Sequence, residues 1–206
     1  MKRFWTLERT ARCLKVRAAG GKALPALLFL TDPVRTPEPE AAAERLPRGG
    51  AIVFRAFGAP DAEGVARRLR AIARRRGLKL LIGADARLAA RVGADGVHLP
   101  ERLAHRALRI KASRPGWIVT AAAHGLAAAR RAARFGADAV VVSPVFPSRS
   151  PSAGRPLGVR RLAGIARRAG LPVYALGGVT HETARGLLGA GVVGIAAVEG
   201  LSGPRT

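Results

Sequence analysis

Short apolar runs alternate with longer amphipathic stretches along most of the chain. The apolar runs are of strand length and cover residues 27–31, 51–55, 78–82, 96–99, 117–120, 139–142, 172–176 and 193–198. Strands that read as continuous apolar runs are typical of a parallel sheet, because both faces of such a sheet are buried. The stretches between them have helical periodicity and predict helices over 38–46, 61–76, 85–92, 101–112, 125–135, 159–169 and 180–188.

The repetition of about eight strand–helix units predicts a single (β/α)8 barrel of the TIM type. The alternative is an open, doubly wound sheet. Its phosphate fingerprint would follow the first strand, where Thr31-Asp32-Pro33 stands instead of a glycine-rich turn. We therefore expect one barrel domain over residues 24–206. Residues 1–23 form a short basic N-terminal extension, predicted as a helix under the barrel or as a basic arm.

Length and composition fit one cytoplasmic domain. The 206 residues are 49% hydrophobic, which is enough for a sizeable core. No apolar run approaches the roughly 18–20 residues that a membrane span needs, and the basic N-terminus lacks the apolar segment of a signal peptide. Cys13 is the single cysteine, so no disulfide forms within the chain, and a cytoplasmic location is predicted.

The net charge of +23 raises the question of a nucleic-acid partner. Most of the arginines lie beside alanines in helical patterns, as in residues 66–70 and 129–132. Aromatic residues make up only 4% of the chain, too few for a base-stacking platform. The pattern favours solvated helix faces, with nonspecific binding to polyanions at low salt.

In a barrel of this kind, ligands bind where the strands end, so the candidate site residues are those that follow each strand. Arg55 closes an apolar strand and is a candidate for an anion or ion-pair partner. Gly177-Gly178 follow the seventh strand, where a backbone can approach a phosphate closely. His98 ends the fourth strand and is either catalytic or an interior structural histidine. His124 follows the fifth strand and is either catalytic or a helix cap.

The stretch GADAVVVSPVFPSRSP, residues 136–151, leads from a buried strand into a long loop. This loop carries hydroxyl groups and a cation, which together suit an anionic ligand. Its candidate binding residues are Ser143, Ser148, Arg149 and Ser150.

Four stretches carry a resemblance to a known family. They are LFLTD at 28–32, GADGVHL at 93–99, SPVFPS at 143–148 and ALGGV at 175–179. In order and spacing they resemble thiamine phosphate synthase and its relative, the thiazole tautomerase TenI, over about residues 24–201. The resemblance implies a (β/α)8 barrel of thiamine biosynthesis that binds a small-molecule phosphate, such as a thiazole phosphate.

The chain departs from the synthase pattern at the residues that would handle diphosphate and Mg²⁺. The synthase has Gln-x-Arg-x-Lys in its second strand, where this chain has Val53, Arg55 and Phe57. Its Asn-Asp after the third strand is replaced by Gly83-Ala84, and its second metal carboxylate by Leu103. Asp85 and Glu101 lie nearby and are the candidates for shifted Mg²⁺ ligands. Glu199 stands where a small residue would border a phosphate.

The departures point toward the tautomerase relative, which needs no metal and uses a histidine in the fifth-strand turn. His124 matches that histidine, and His98-Leu99-Pro100 is also similar to the relative. A neutral imidazole near pH 7 suits proton transfer. We therefore expect metal-free proton-transfer chemistry without a cofactor. A synthase with a rearranged Mg²⁺ site and a non-catalytic ligand-binding or regulatory barrel remain as alternatives, and a homo-oligomer stays open.

Overall fold

The computed structural model describes residues 10, 11, 14, 23–148, 150 and 154–198. Eight parallel strands, β1 to β8, form a closed barrel in which each strand pairs with its sequence neighbours. The strands are Leu27–Leu30, Ala51–Phe54, Lys79–Gly83, Gly96–Leu99, Ile118–Ala123, Ala139–Val142, Val173–Ala175 and Gly194–Ala197. The first and last strands close the circle, with Leu27 opposite Ile195. The predicted barrel is confirmed, and the open doubly wound sheet is excluded.

In the part of the chain that the structure describes, six α-helices lie between the strands. They are α1 (Pro39–Glu44), α2 (Ala62–Arg76), α3 (Ala86–Arg91), α4 (Ala107–Ser113), α5 (Leu126–Arg134) and α6 (Gly158–Arg168). A 3₁₀ helix, Glu101–Arg106, precedes α4, and a second, Ala184–Leu187, lies between β7 and β8. The helix predicted for 180–188 is thus reduced to one short turn. The glycines at 186 and 189 disfavour a longer helix there.

Side chains alternate along each strand between two hydrophobic layers. One layer fills the inside of the barrel and includes Leu28, Val53, Leu81, Val141 and Tyr174. The other lies between the strands and the surrounding helices. The Tyr174 hydroxyl donates to the backbone carbonyl of Pro25 over 2.6 Å, which satisfies its polar atom inside the core.

Strand β5 is longer than the predicted run of 117–120 and continues to Ala123. Its last residues are alanines, which carry little strand signal of their own. Pairing with β6 overrides this weak propensity, because Ala121 lies opposite Val140 and Ala123 opposite Val142. The extension brings His124 directly to the carboxyl end of the barrel.

Of the predicted N-terminal extension, the structure describes Thr10, Ala11, Leu14 and Ala23. The first three are helical and buried, and Ala11 and Leu14 belong to the hydrophobic layer under the helices. The rest of the predicted extension lies outside the described residues. Over the described ranges, no helix has the length and apolar character that crossing a membrane requires.

Candidate functional site

A cavity of about 1000 Å³ opens where the strands end at their carboxyl termini. Every strand, or the residue after it, contributes to the lining: Leu30, Arg55, Gly83, His98, His124, Ser143, Leu176 and Val198. The barrel therefore brings most of the predicted site residues to one place. What each can do depends on its own contacts.

The cavity has a cationic side at the ends of β1 and β2. The Arg55 side chain donates through Nε to the backbone carbonyl of Thr31 over 2.8 Å. Its Nη2 lies 3.3 Å from Oδ2 of Asp32, and the same carboxylate oxygen accepts from Arg35 over 2.8 Å. One carboxylate thus pairs with two guanidinium groups that border the cavity, which leaves this side with a net positive charge.

The Asp32 carboxylate is strongly held in its ionised form. A hydrogen bond from the Arg35 side chain is the main cause that lowers the pKa of Asp32 to about 2. The backbone amide of Arg35 also donates to Oδ1 of Asp32 over 3.1 Å. Asp32 is therefore part of the electrostatic frame of the site. Sequence reasoning did not identify Arg35 as part of this frame.

His98 lies on the floor of the cavity and is only 7% exposed. Its Nδ1 lies 2.9 Å from the hydroxyl oxygen of Thr120, a buried threonine of β5. Burial, with a smaller effect from the nearby Arg55 charge, lowers the pKa of His98 to about 4. The ring is therefore neutral near pH 7. His98 is thus the more buried of the two candidate histidines, and its partner is a hydroxyl group on the next strand.

His124 is exposed and borders the cavity directly after β5. Its Nδ1 lies 2.9 Å from the backbone carbonyl oxygen of Ser143. A carbonyl only accepts hydrogen bonds, so Nδ1 carries the proton. In the neutral ring, Nε2 then keeps its lone pair. Gly125 precedes α5 as its N-cap residue, so the alternative of His124 as a helix cap does not hold.

Glu101 supports the His124 turn from outside the cavity. Its Oε2 accepts from the backbone amide of His124 over 3.1 Å, and its Oε1 accepts from Arg131 over 2.9 Å. Among the described residues, Glu101 borders an outer groove beside α5 and is absent from the cavity lining. Sequence reasoning placed Glu101 among weak metal candidates. The structure places it behind His124 instead.

The described residues do not fit a Mg²⁺ site. Within the described chain, Asp85 is the only acid that lines the cavity, and its Oδ1 accepts from the backbone amide of Leu88 over 2.8 Å as the N-cap of α3. No cluster of three or more potential ligands among His, Cys, Asp and Glu occurs in these described ranges. Mg²⁺ usually needs one or two carboxylates together with phosphate oxygens and water. Glu199 lies outside the described residues.

Gly177 and Gly178 pass close to the loop that follows β6. Both have positive φ angles, 93° and 63°, which favour glycine. A β-carbon at position 177 would lie 2.9 Å from Cα of Pro144, and one at position 178 would lie 2.3 Å from the carbonyl oxygen of Pro147. Within the described part of the chain, the amide groups of these two glycines donate to no backbone or side-chain acceptor. Both glycines line the cavity, so their backbone borders the space that an anion would occupy.

The hydroxyl-bearing loop lies on the same side of the cavity as the glycine pair. Ser143, Ser148 and Ser150 all line the cavity, and Oγ of Ser148 accepts from the backbone amide of Ser150 over 3.3 Å. Backbone bonds tie the start of the loop to the glycine turn, since the amide of Phe146 donates to the carbonyl of Gly177 over 3.0 Å. Arg149, the fourth candidate of this loop, lies outside the described residues.

The fold and site together define a (β/α)8 barrel whose main cavity has guanidinium groups on one side and a glycine pair with serine hydroxyls on the other. A family model described as thiamine monophosphate synthase matches residues 27–201. The chain belongs to this family, as the motif resemblance implied, and its place is in thiamine biosynthesis.

Individual relatives agree with this assignment. The thiamine-phosphate synthase of Pyrococcus furiosus is 32% identical over 181 residues, which is 86% of each chain. That of Bacillus velezensis is 29% identical over 174 residues, covering 80% of this chain and 77% of the relative. A solved structure, the thiamine phosphate pyrophosphorylase from Pyrococcus furiosus, superposes with a TM-score of 0.74 at 27% identity and covers 94% of this chain and 90% of its own.

Proposed function

We propose that this barrel binds a thiazole carboxylate phosphate and moves a proton on it without a metal, as a tautomerase of the TenI type. The observation that carries the proposal is the hydrogen bond from Nδ1 of His124 to the carbonyl of Ser143. It fixes the tautomer whose other nitrogen is basic, on a ring that borders the cavity.

The distribution of donors in the cavity suits a ligand with two anionic groups. Arg35 and Arg55 share one carboxylate and keep guanidinium donors for a second anion. On the other side, the amides of Gly177 and Gly178 lie beside the serine loop, as in a phosphate-binding turn. A thiazole that carries both a carboxylate and a phosphate would place one anion on each side, with its ring between them.

In the proposed reaction, the lone pair on Nε2 of neutral His124 takes a proton from the bound ligand. The ring becomes an imidazolium, and its Nδ1–H bond to Ser143 stabilises the positive charge. Because His124 is exposed, the proton on the imidazolium exchanges with solvent. A proton from Nε2 then passes to a different atom of the ligand, so that the histidine is neutral again and the ligand is isomerised. No electron leaves the ligand and no group is transferred, so no co-reactant is needed.

A second candidate function is thiamine phosphate synthesis, because the relatives that span most of the chain are named thiamine-phosphate synthases. This reaction would require Mg²⁺ and a pyrimidine diphosphate. Asp85 is the one described cavity acid that could contribute to a metal, and it already caps a helix. The donor set therefore favours the metal-free reaction.

The two functions are separated by one pair of assays on the purified protein. Conversion of thiazole carboxylate phosphate to its tautomer is followed by NMR in D₂O with EDTA, where proton transfer places deuterium on the product. Thiamine phosphate formation is followed with pyrimidine diphosphate, thiazole phosphate and Mg²⁺. We expect tautomer conversion that EDTA does not affect and no efficient synthesis. Robust, EDTA-sensitive synthesis would establish the second candidate, and tight ligand binding without turnover would leave a non-catalytic barrel.

A further inference from the structure

Phe57 combines two features that are unfavourable for a phenylalanine in the folded protein. Its side chain is 63% exposed, although it is large and apolar. Its backbone φ is +47°, in the left-handed region, and the following Gly58 has φ of +80°. Phe57 also lines the cavity beside Arg55.

Neither burial nor backbone preference explains a phenylalanine at this position. A side chain with a β-carbon is disfavoured in the left-handed region, where glycine and asparagine are the usual residues. Exposed Leu108, with the same 63% exposure, lies on an ordinary helix, so it carries no such backbone cost. Residues that hold an unfavourable backbone conformation cluster at ligand-binding positions.

A cation beside the Phe57 ring also indicates a ligand-binding position. The Arg55 guanidinium carbon lies 4.9 Å from the centroid of the ring. Such a cation–π contact occupies one face of the ring. The large exposed fraction leaves the remaining ring surface open at the mouth of the cavity. An anion bound to Arg55 would therefore have an aromatic surface next to it.

We propose that Phe57 is a specificity-determining residue, against which the aromatic heterocycle of the ligand stacks while Arg55 binds an anionic group of the same ligand. This inference rests on the proposed function for the identity of the heterocycle. A phosphate or carboxylate group occurs in many metabolites, so it does not distinguish this ligand from them. The flat aromatic ring is the feature that does. The ring contact selects among anions that Arg55 alone would bind alike.

The test compares two probes on two variants by calorimetry. The probes are 4-methyl-5-(2-hydroxyethyl)thiazole phosphate and inorganic phosphate, and the variants are Phe57→Leu and Phe57→Gly. Stacked aromatic pairs contribute enough that removing the ring should weaken thiazole phosphate binding about 3- to 10-fold. Phosphate binding should stay unchanged. Leu108→Ala, which removes an equally exposed apolar side chain outside the cavity, should alter neither.

Melting temperature provides a second readout that a structural role would move. Because Phe57→Gly relieves the left-handed backbone, its melting temperature should lie within about 2 °C of the parent or above it. A fall of about 10 °C would indicate a packing role and overturn the proposal. A loss of self-association in Phe57→Gly, measured by sedimentation, would also overturn the proposal. It would show that a second copy of the chain, rather than a ligand, covers the ring.

The binding results distinguish failure of this inference from failure of the proposed ligand. In one outcome, the parent binds thiazole phosphate more tightly than phosphate, and Phe57→Leu binds both probes as the parent does. The stacking role is then wrong, whereas the proposed thiazole ligand is supported. If the parent binds both probes equally, the proposed thiazole ligand and the proposed stacking role are both wrong. If Phe57→Leu weakens both probes equally, Phe57 acts by holding Arg55, and the stacking role is again wrong.

Discussion

Nδ1 of His124 lies 2.9 Å from the backbone carbonyl oxygen of Ser143, so the barrel itself sets the tautomer of the ring. His124 follows β5 and Ser143 follows β6, and these neighbouring strands are paired up to Ala123 and Val142. The carbonyl belongs to the backbone and is present whatever the side chain at position 143. The direction of the basic nitrogen is therefore a property of the strand register rather than of a second catalytic side chain.

Replacing His124 by alanine should lower tautomer turnover about 10²- to 10⁴-fold, the usual effect of removing a positioned general acid–base. Ligand affinity should change little, because the anion donors of the cavity remain. Turnover and equilibrium binding are measured on the same preparations. His105→Ala, an exposed histidine outside the cavity, is the matched control. A fully active His124→Ala protein would remove His124 from the mechanism.

Glu101 should behave as a positioning residue, because it accepts from the His124 backbone amide and from Arg131. Glu101→Ala loosens the turn without touching the cavity, so kcat should fall about 10-fold while KM stays nearly constant. Steady-state kinetics gives both constants. Glu63→Ala is the control, since Glu63 also pairs with two arginines but lies on α2. A change in KM alone would show that Glu101 acts on ligand binding.

The barrel and the ring of candidate residues were predictable, because eight buried strands leave a clear apolar signal and their carboxyl ends meet at one rim. The end of β5 was not predictable, since its alanines carry a weak strand preference that only pairing with β6 overcomes. The roles of Glu101 and Phe57 were also out of reach. The role of Glu101 depends on its contact with the His124 amide, 23 residues along the chain, and that of Phe57 on a single φ angle.

Arg55→Ala should weaken binding of phosphate or pyrophosphate by about 10- to 100-fold, the range for losing hydrogen bonds from a charged group. Arg55→Lys should retain only part of the parent's affinity for the anion, because the Nε bond to the Thr31 carbonyl and the paired donors of the guanidinium are lost. Calorimetric titration measures the affinities. Arg75→Ala, an exposed arginine on α2 paired with Glu44, should bind as the parent does. Unchanged affinity in Arg55→Ala would make Arg55 a structural partner of Asp32.

Gly178→Ala should destabilise the fold by roughly 2–4 kcal/mol, because it adds a strained left-handed residue and a steric clash. The added β-carbon would lie 2.3 Å from the carbonyl oxygen of Pro147. Gly189→Ala is the matched control. It has φ of 82° but no atom within 4 Å of its β-carbon, so it should show the backbone cost alone. Urea unfolding measures the difference, and equal losses in both variants would contradict the packing argument.

His98 should make the protein less stable in mild acid. Its pKa is about 4 in the folded protein, against an ordinary value of 6.5. Below pH 6.5 the unfolded chain therefore takes up a proton that the folded chain does not, and the free energy of unfolding falls as the pH falls from 6.5 toward 4. From the two pKa values, the loss at about pH 4.5 is of the order of 2–3 kcal/mol relative to about pH 8.

Urea unfolding at a series of pH values measures this loss in the parent and in His98→Asn, which keeps a polar group opposite Thr120. The variant should be less stable near pH 7 but should lack most of the decrease between pH 6.5 and 4. Asp32 does not confuse the comparison. Its pKa of about 2 stabilises the fold at higher pH, and this stabilisation is lost only as the pH falls from about 4 toward 2. If parent and variant lose stability in parallel across pH 6.5 to 4, His98 is not the buried neutral group that its contacts indicate.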